Sequence, residues 1–135
     1  MSTESNIQIV QKAYADFGRG DVPAILEVLD ENVEWISPGK LPESGTWRGH
    51  AGVLKFFQLV GANWDFQAFE PRDFIASGDQ VAAVGSYTAT SRGTGRQASA
   101  QWVMVWKFRG GKVTNFQEYT DTGSLERALA AGAVA

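Results

Sequence analysis

Four long stretches rich in β-branched and aromatic residues fill the second half of the chain: Phe66 to Ala76, Gln80 to Thr90, Gln97 to Phe108 and Lys112 to Asp121. Only Gly78-Asp79, Arg92-Gly93-Thr94-Gly95 and Gly110-Gly111 part them. Turns this short join paired strands only when the strands run antiparallel, because a parallel connection needs a crossover of about a dozen residues or more. This half is therefore expected to be a four-strand meander, and the helices that cover it must come from elsewhere.

The preceding residues supply those helices. Ile7, Val10, Tyr14 and Phe17 recur at helical spacing, and the pattern stops at Gly18 and Gly20. Asp21 suits the N-cap of a second short helix, with Pro23 in its first turn and Ile25, Leu26, Val28 and Leu29 as its buried side. Val33 to Ser37 reads as a strand, and Pro38 to Gly45 is too rich in Pro and Gly for a regular element, so it is expected to be a surface loop. His50 to Val60 returns to helical spacing through Val53, Leu54, Phe56, Phe57 and Val60. A last helical stretch, Leu125 to Ala131, is placed to cover one end of the sheet.

Helices first and a meander afterwards indicate an α+β fold with helices on one face of an antiparallel sheet. At 135 residues, 44% of them hydrophobic, the chain forms a single domain over 1–135 with one core. In Gln97 to Phe108, Trp102, Met104, Trp106 and Phe108 share one parity while Val103 and Val105 take the other, so both strand faces are partly apolar. One face packs on the helices; the other is expected to be covered by a second copy, giving a homodimer through the outer sheet face.

Composition removes several functions. A net charge of -3, without a basic run, argues against nucleic acid as a partner. No cysteine and one histidine, His50, leave no thiol nucleophile and no usual zinc set, so neither a metal nor a redox cofactor is expected. Met1 to Gln8 lacks the order of a secretory signal and no apolar run approaches a bilayer span. A cytoplasmic protein away from membranes is the expectation.

The order helix, helix, strand, Gly/Pro loop, helix, meander resembles the SnoaL-like and ketosteroid isomerase-like branch of the nuclear transport factor 2-like superfamily. The residues that carry the likeness are Gly20-Asp21, Asn32-Val33-Glu34-Trp35, Gly45-Thr46-Trp47-Arg48-Gly49-His50 with Val53 to Phe57, and Gly110-Gly111-Lys112-Val113 before Glu118-Tyr119-Thr120-Asp121. The likeness spans nearly the whole chain and implies a cone-shaped fold: a curved antiparallel sheet packed on three N-terminal helices around one apolar pocket. Its members include isomerases, polyketide cyclases, dehydratases, epoxide hydrolases and non-catalytic binders, so reaction must be argued from the site. Set against the steroid isomerases, the tyrosine position falls on Ala13, the base on Ser37 and the second acid near Met104, so all three roles are vacant. The Asp-Arg-Asp set of the epoxide hydrolases is absent from Ser99 to Met104, leaving Glu118 as the one possible counterpart.

Candidate site residues follow from strand parity and from the resemblance. Trp35 and Ser37 fall on the pocket face, with Glu34 and Ile36 pointing away; Trp35 either stacks on a flat ligand or fills the core. His50 stands at the start of the third helix, where the positive helix end favours a neutral ring as donor or base; the alternative is a helix-start residue bonded to the Gly/Pro loop. Glu118 shares parity with Phe116 and Thr120, and a lone carboxyl on an aromatic face suits a general acid or base; the alternatives are a salt bridge to Arg48, Arg109 or Lys112, or simple exposure. Tyr14 offers a hydroxyl if the first helix is shifted by one residue, and Tyr87, Trp102 and Met104 are expected in the pocket wall. Asp121 reads as the cap of the last helix.

Three functions stay open at this level. One is a cofactor-independent enzyme isomerising, cyclising or hydrolysing a small apolar organic molecule, with His50 and Glu118 as its polar operators. The second is a non-catalytic protein binding such a ligand in the same pocket. The third is a dimerising module whose pocket is filled by its own side chains.

Overall fold

The computed structural model describes residues 3–130. Its elements are α1 (Thr3–Gly18), α2 (Val22–Glu27), β1 (Leu29–Ser37), β2 (Gly45–Arg48), α3 (Gly49–Asn63), β3 (Trp64–Ser77), β4 (Gln80–Ser91), β5 (Gln97–Arg109), β6 (Lys112–Thr120) and α4 (Thr122–Leu129). The six strands form one curved, unclosed sheet in the order β2-β1-β6-β5-β4-β3. α1 packs on β3 and β4, α3 on β1 and β2, and α4 on β5 and β4, which gives the α+β cone that the sequence implies.

Local chemistry sets the element ends. Asp21 caps α2 by accepting from the Ala24 amide at 3.2 Å, and Pro23 occupies its first turn. Val28 closes α2 and Leu29 opens β1, so these two residues, expected on the helix, belong to its end and to the strand. Asp121 accepts from the Ser124 amide at 3.1 Å and caps α4. The expected last helix ran to Ala131, which lies outside the described residues; α4 ends at Leu129.

The meander is antiparallel throughout, with Tyr87 opposite Ala100, Gly85 opposite Trp102 and Met104 opposite Glu118. The sheet as a whole departs from the expectation at one pair. β1 lies parallel to β6, with Trp35 beside Phe116, because β2 and α3 intervene before β3 and make the long connection that a parallel entry requires. Bulges between Phe66 and Ala68, between Pro71 and Asp73, and at Lys107/Phe108 interrupt the ladders. Extra residues on one strand of a pair increase its bend, and so curl the sheet around the helices.

Two features of the loop between β1 and β2 differ from the expectation of a plain surface loop. Its last residue enters β2, a four-residue edge strand against β1 that the Gly/Pro composition concealed. Leu41 and Glu43 also turn inward and are only 8% and 6% exposed. Ser44 holds this fold-back, accepting from the Leu41 amide at 2.7 Å and donating to the Pro38 carbonyl at 2.6 Å.

The inner faces of β4 and β5 alternate strictly: Val81, Ala83, Tyr87 and Ala89 on one strand, Ala100, Trp102, Met104, Trp106 and Phe108 on the other, are all buried. Gly85 is required at its place. A Cβ there would stand 2.3 Å from the Glu70 carbonyl oxygen and 2.6 Å from Trp102 Cζ2, so only a hydrogen lets the indole lie across the strand.

Candidate active site

Between the sheet and the helices lies a cavity of about 80 Å³. α1 contributes Ala13, Tyr14 and Phe17; α3 contributes Phe56, Phe57 and Val60; the sheet contributes Trp35, Trp64, Tyr87, Met104, Trp106 and Phe116. Almost every surface is therefore a ring or a hydrocarbon. Two carboxyl groups interrupt it, Glu118 from β6 and Glu43 from the β1–β2 loop.

Glu118 sits on the inward parity of β6 with its side chain buried. No cation pairs with it: among the described ion pairs, Arg48 goes to Glu34. Its carboxyl is pushed up from the ordinary 4.5 to about 7, chiefly by burial; the Tyr87 hydrogen bond opposes this and the nearby charge of Glu43 adds to it. The Tyr87 hydroxyl lies 3.2 Å from Glu118 Oε2 and 2.9 Å from Thr120 Oγ1, and Thr120 donates to the Gln101 carbonyl at 3.0 Å. A phenol has one proton to give. When Glu118 is ionised, Tyr87 gives it to the carboxylate; when Glu118 is protonated, the acid can donate to Tyr87, Tyr87 to Thr120 and Thr120 to the carbonyl. Every contact of the chain has a proton only when Glu118 is protonated; in the ionised state two protons serve three contacts, and Glu118 Oε1 has no hydrogen-bond partner among the described residues.

Glu43 is held differently. Its Oε2 accepts from Trp64 Nε1 at 3.1 Å and its backbone oxygen accepts from Trp47 Nε1 at 2.8 Å. Burial again pushes the carboxyl up, against the opposing influence of its own backbone amide and of the Trp64 hydrogen bond. The sequence reading passed over this residue. The signal available was Leu41, an apolar residue in an otherwise polar Pro/Gly loop, with Glu43 two positions on and buried beside it.

Of the other expected site residues, Tyr14, Trp35, Tyr87 and Met104 line the cavity. Tyr14 donates to Met104 Sδ at 3.1 Å and accepts from Trp106 Nε1 at 3.0 Å, while burial pushes its phenol above the usual range. Trp35 stacks on Phe116 with centroids 3.7 Å apart and meets Trp106 edge-on, so one indole face is already occupied.

Three other expected residues lie outside this lining. His50 does not reach the cavity: its Nε2 lies 2.9 Å from the Leu29 carbonyl, where it braces the start of β1 against α3. Trp102 points inward as its parity requires, but Tyr14 and Phe69 stack on it at 5.4 and 5.2 Å and screen it from the cavity. Ser37 is buried on the face of Trp35 yet lies outside the lining, because β1 carries it past the cavity's end. Among the described residues no three His, Asp or Glu side chains are grouped to hold a metal ion, and no helix is long and apolar enough to cross a membrane.

The profile of the SnoaL-like domain matches residues 10–116, and the chain belongs to that family. Solved structures agree. An NTF2-like protein from Burkholderia xenovorans LB400 is 40% identical, with 96% of this chain and 98% of that one covered at a TM-score of 0.88. TerC, co-crystallised with polyporic acid, is 32% identical over 94% of this chain and 99% of its own, with a TM-score of 0.82. An uncharacterised protein of Mycobacterium tuberculosis is 22% identical over 127 residues, 93% of this chain and 97% of that protein.

Proposed function

We propose that this chain binds a small, flat, uncharged organic molecule in the aromatic cavity and that Glu118 moves a proton on it. The observation that carries this is a carboxyl whose pKa burial raises to about 7, with one oxygen bonded to Tyr87 and the other without a partner among the described residues, at the wall of a cavity that is apolar but for Glu43. A group with such a pKa exchanges protons readily near neutrality. The reaction classes that fit are isomerisation, cyclisation or hydrolysis of an apolar carbonyl or polyketide-like compound. TerC, with its polyporic acid, supports an organic ligand for a scaffold like this one. Steroid isomerase chemistry is disfavoured, since Ala13, Ser37 and Met104 stand where its three operators would be.

A ligand-binding protein without turnover is the second reading. It is favoured by the hydroxyls of Tyr14 and Tyr87, which are both already bonded within the protein and would have to break those bonds to polarise a substrate.

Proton transfer is tested with acetophenone in deuterated water. Glu118 as carboxylate takes a methyl proton and leaves the enolate; the carboxyl proton exchanges with the deuterated solvent, and Glu118 returns a deuteron to carbon. Wild-type protein should accelerate methyl exchange, read by proton NMR, with an inflection near pH 7, and Glu118→Gln should bind acetophenone without accelerating exchange. Equal exchange in both proteins would sink the catalytic reading and leave the binding one.

We also propose that the outer face of the sheet pairs with a second copy. Val84 lies opposite Val103 and Val103 opposite Tyr119, with Ile75 opposite Ala82 and Ala82 opposite Val105, so these side chains form one apolar strip across four strands. Ile75 and Tyr119 are 63% and 52% exposed in the single chain. A monomer by light scattering at high concentration would defeat this.

A further inference from the structure

The fold leaves one oxygen of Glu43 without a hydrogen bond. Glu43 Oε1 is fully buried and has no hydrogen-bond partner among the described residues. The side chain cannot readily turn away to find one: Trp64 holds Oε2, Trp47 holds the backbone oxygen, and Ser44 ties the loop on both sides. Indole N–H groups only donate, so Oε2 is the accepting oxygen. Oε1 is then either an unpaired acceptor or, when the acid is neutral, the atom that bears an unpaired proton.

Glu43 and Glu118 line the same cavity, and their charges oppose each other across it. Two buried carboxyls in apolar surroundings resist ionising together, and whichever is a neutral acid can both donate and accept. Each has one oxygen occupied by a neutral donor, Trp64 or Tyr87, and one oxygen left over. Such a pair complements a molecule with oxygen substituents at two separated positions. A cavity of about 80 Å³ fits a compact ligand of about one ring, with some yielding of the surrounding phenyl groups.

We propose that Glu43 is a second ligand-binding residue, whose Oε1 bonds an oxygen substituent of an uncharged aromatic ligand while a second oxygen of that ligand lies at Glu118. This rests on the reading of the cavity as a ligand site. It makes the site selective for flat aromatic compounds bearing two separated oxygens over those bearing one or none.

The test uses ethylbenzene, acetophenone and para-hydroxyacetophenone, which carry no, one and two oxygens, at mildly acidic pH where all are uncharged. Calorimetry on the wild-type protein should show para-hydroxyacetophenone binding about tenfold more tightly than acetophenone, the scale of one added hydrogen bond to a buried group. Glu43→Gln keeps the Trp64 bond and a donor, and should retain most of that gain. Glu43→Leu should abolish the gain while acetophenone still binds. A gain that survives Glu43→Leu, or no gain in wild type although acetophenone binds, overturns the inference. Failure of all three compounds to bind wild type overturns the reading of the cavity itself. Should Glu43→Leu not fold, the Glu43 carboxyl carbon signal of wild type, assigned through Glu43→Gln, should move with para-hydroxyacetophenone and not with acetophenone; an equal response to both overturns the inference.

Discussion

The two faces of β4, β5 and β6 are built from the same strands but answer to different requirements. The inner face is continuous and crowded: Trp106 touches Trp35, Phe116 and Tyr14, and the carboxyl of Glu118 is enclosed among rings. The outer face carries Val84, Val103, Val105 and Tyr119, half-buried or exposed among the described residues. The difference teaches where substitution will be felt: inside, each residue packs on several rings of the same chain, whereas outside, the cost depends on whether a second chain is there.

Trp106→Ala should break the inner face most severely. It removes an indole only 3% exposed and takes from the Tyr14 hydroxyl its donor, leaving only the bond to Met104, so a loss of about 3–5 kcal/mol in urea unfolding is expected. A loss below about 1 kcal/mol would show that the rings are not mutually supporting.

Glu118→Gln sharpens the comparison through pH. The folded pKa of Glu118 is raised above its ordinary value, so the native state binds the extra proton between about 4.5 and about 7 and stability falls as pH rises through that window. The wild type should lose on the order of 3 kcal/mol more across it than Glu118→Gln, so the variant gains on the wild type at alkaline pH. Parallel stability curves for the two proteins would contradict the buried-carboxyl account.

Gly85→Ala probes the close approach of Trp102. The added methyl meets a backbone oxygen that cannot move freely, and about 1–3 kcal/mol should be lost in thermal or urea unfolding. An unchanged midpoint would mean that β3 or the indole shifts freely. Smallest of all, Val103→Lys on the outer face should leave the unfolding free energy of one chain within about 0.5 kcal/mol. Its effect belongs in light scattering, where a dimer formed through this face should fall apart. An unaltered dimer would move the interface elsewhere.

Much of the cone was legible in the amino-acid order. Period-two alternation in Gln97 to Phe108 and the Gly-bearing turns fixed which residues of the meander point inward, Glu118 among them, because side-chain direction in a strand follows from backbone geometry alone. Asp21 and Asp121 announced two helix starts for an equally local reason, a short acceptor beside unpaired amides.

What a side chain meets once it points inward was not local. Trp102 and Met104 share a parity, yet Tyr14 screens the first from the cavity and bonds to the second, a distinction set by how α1 lies across β5. His50 turned to the Leu29 carbonyl, and β1 took its place parallel to β6, because contacts between distant segments govern both. Glu43 makes the same point most sharply: its loop composition predicts exposure, and two indole donors from β2 and β3 hold its backbone and its carboxyl at the cavity wall. Periodicity is a property of neighbours in the chain, whereas burial of a polar group depends on whether the folded molecule brings it a partner.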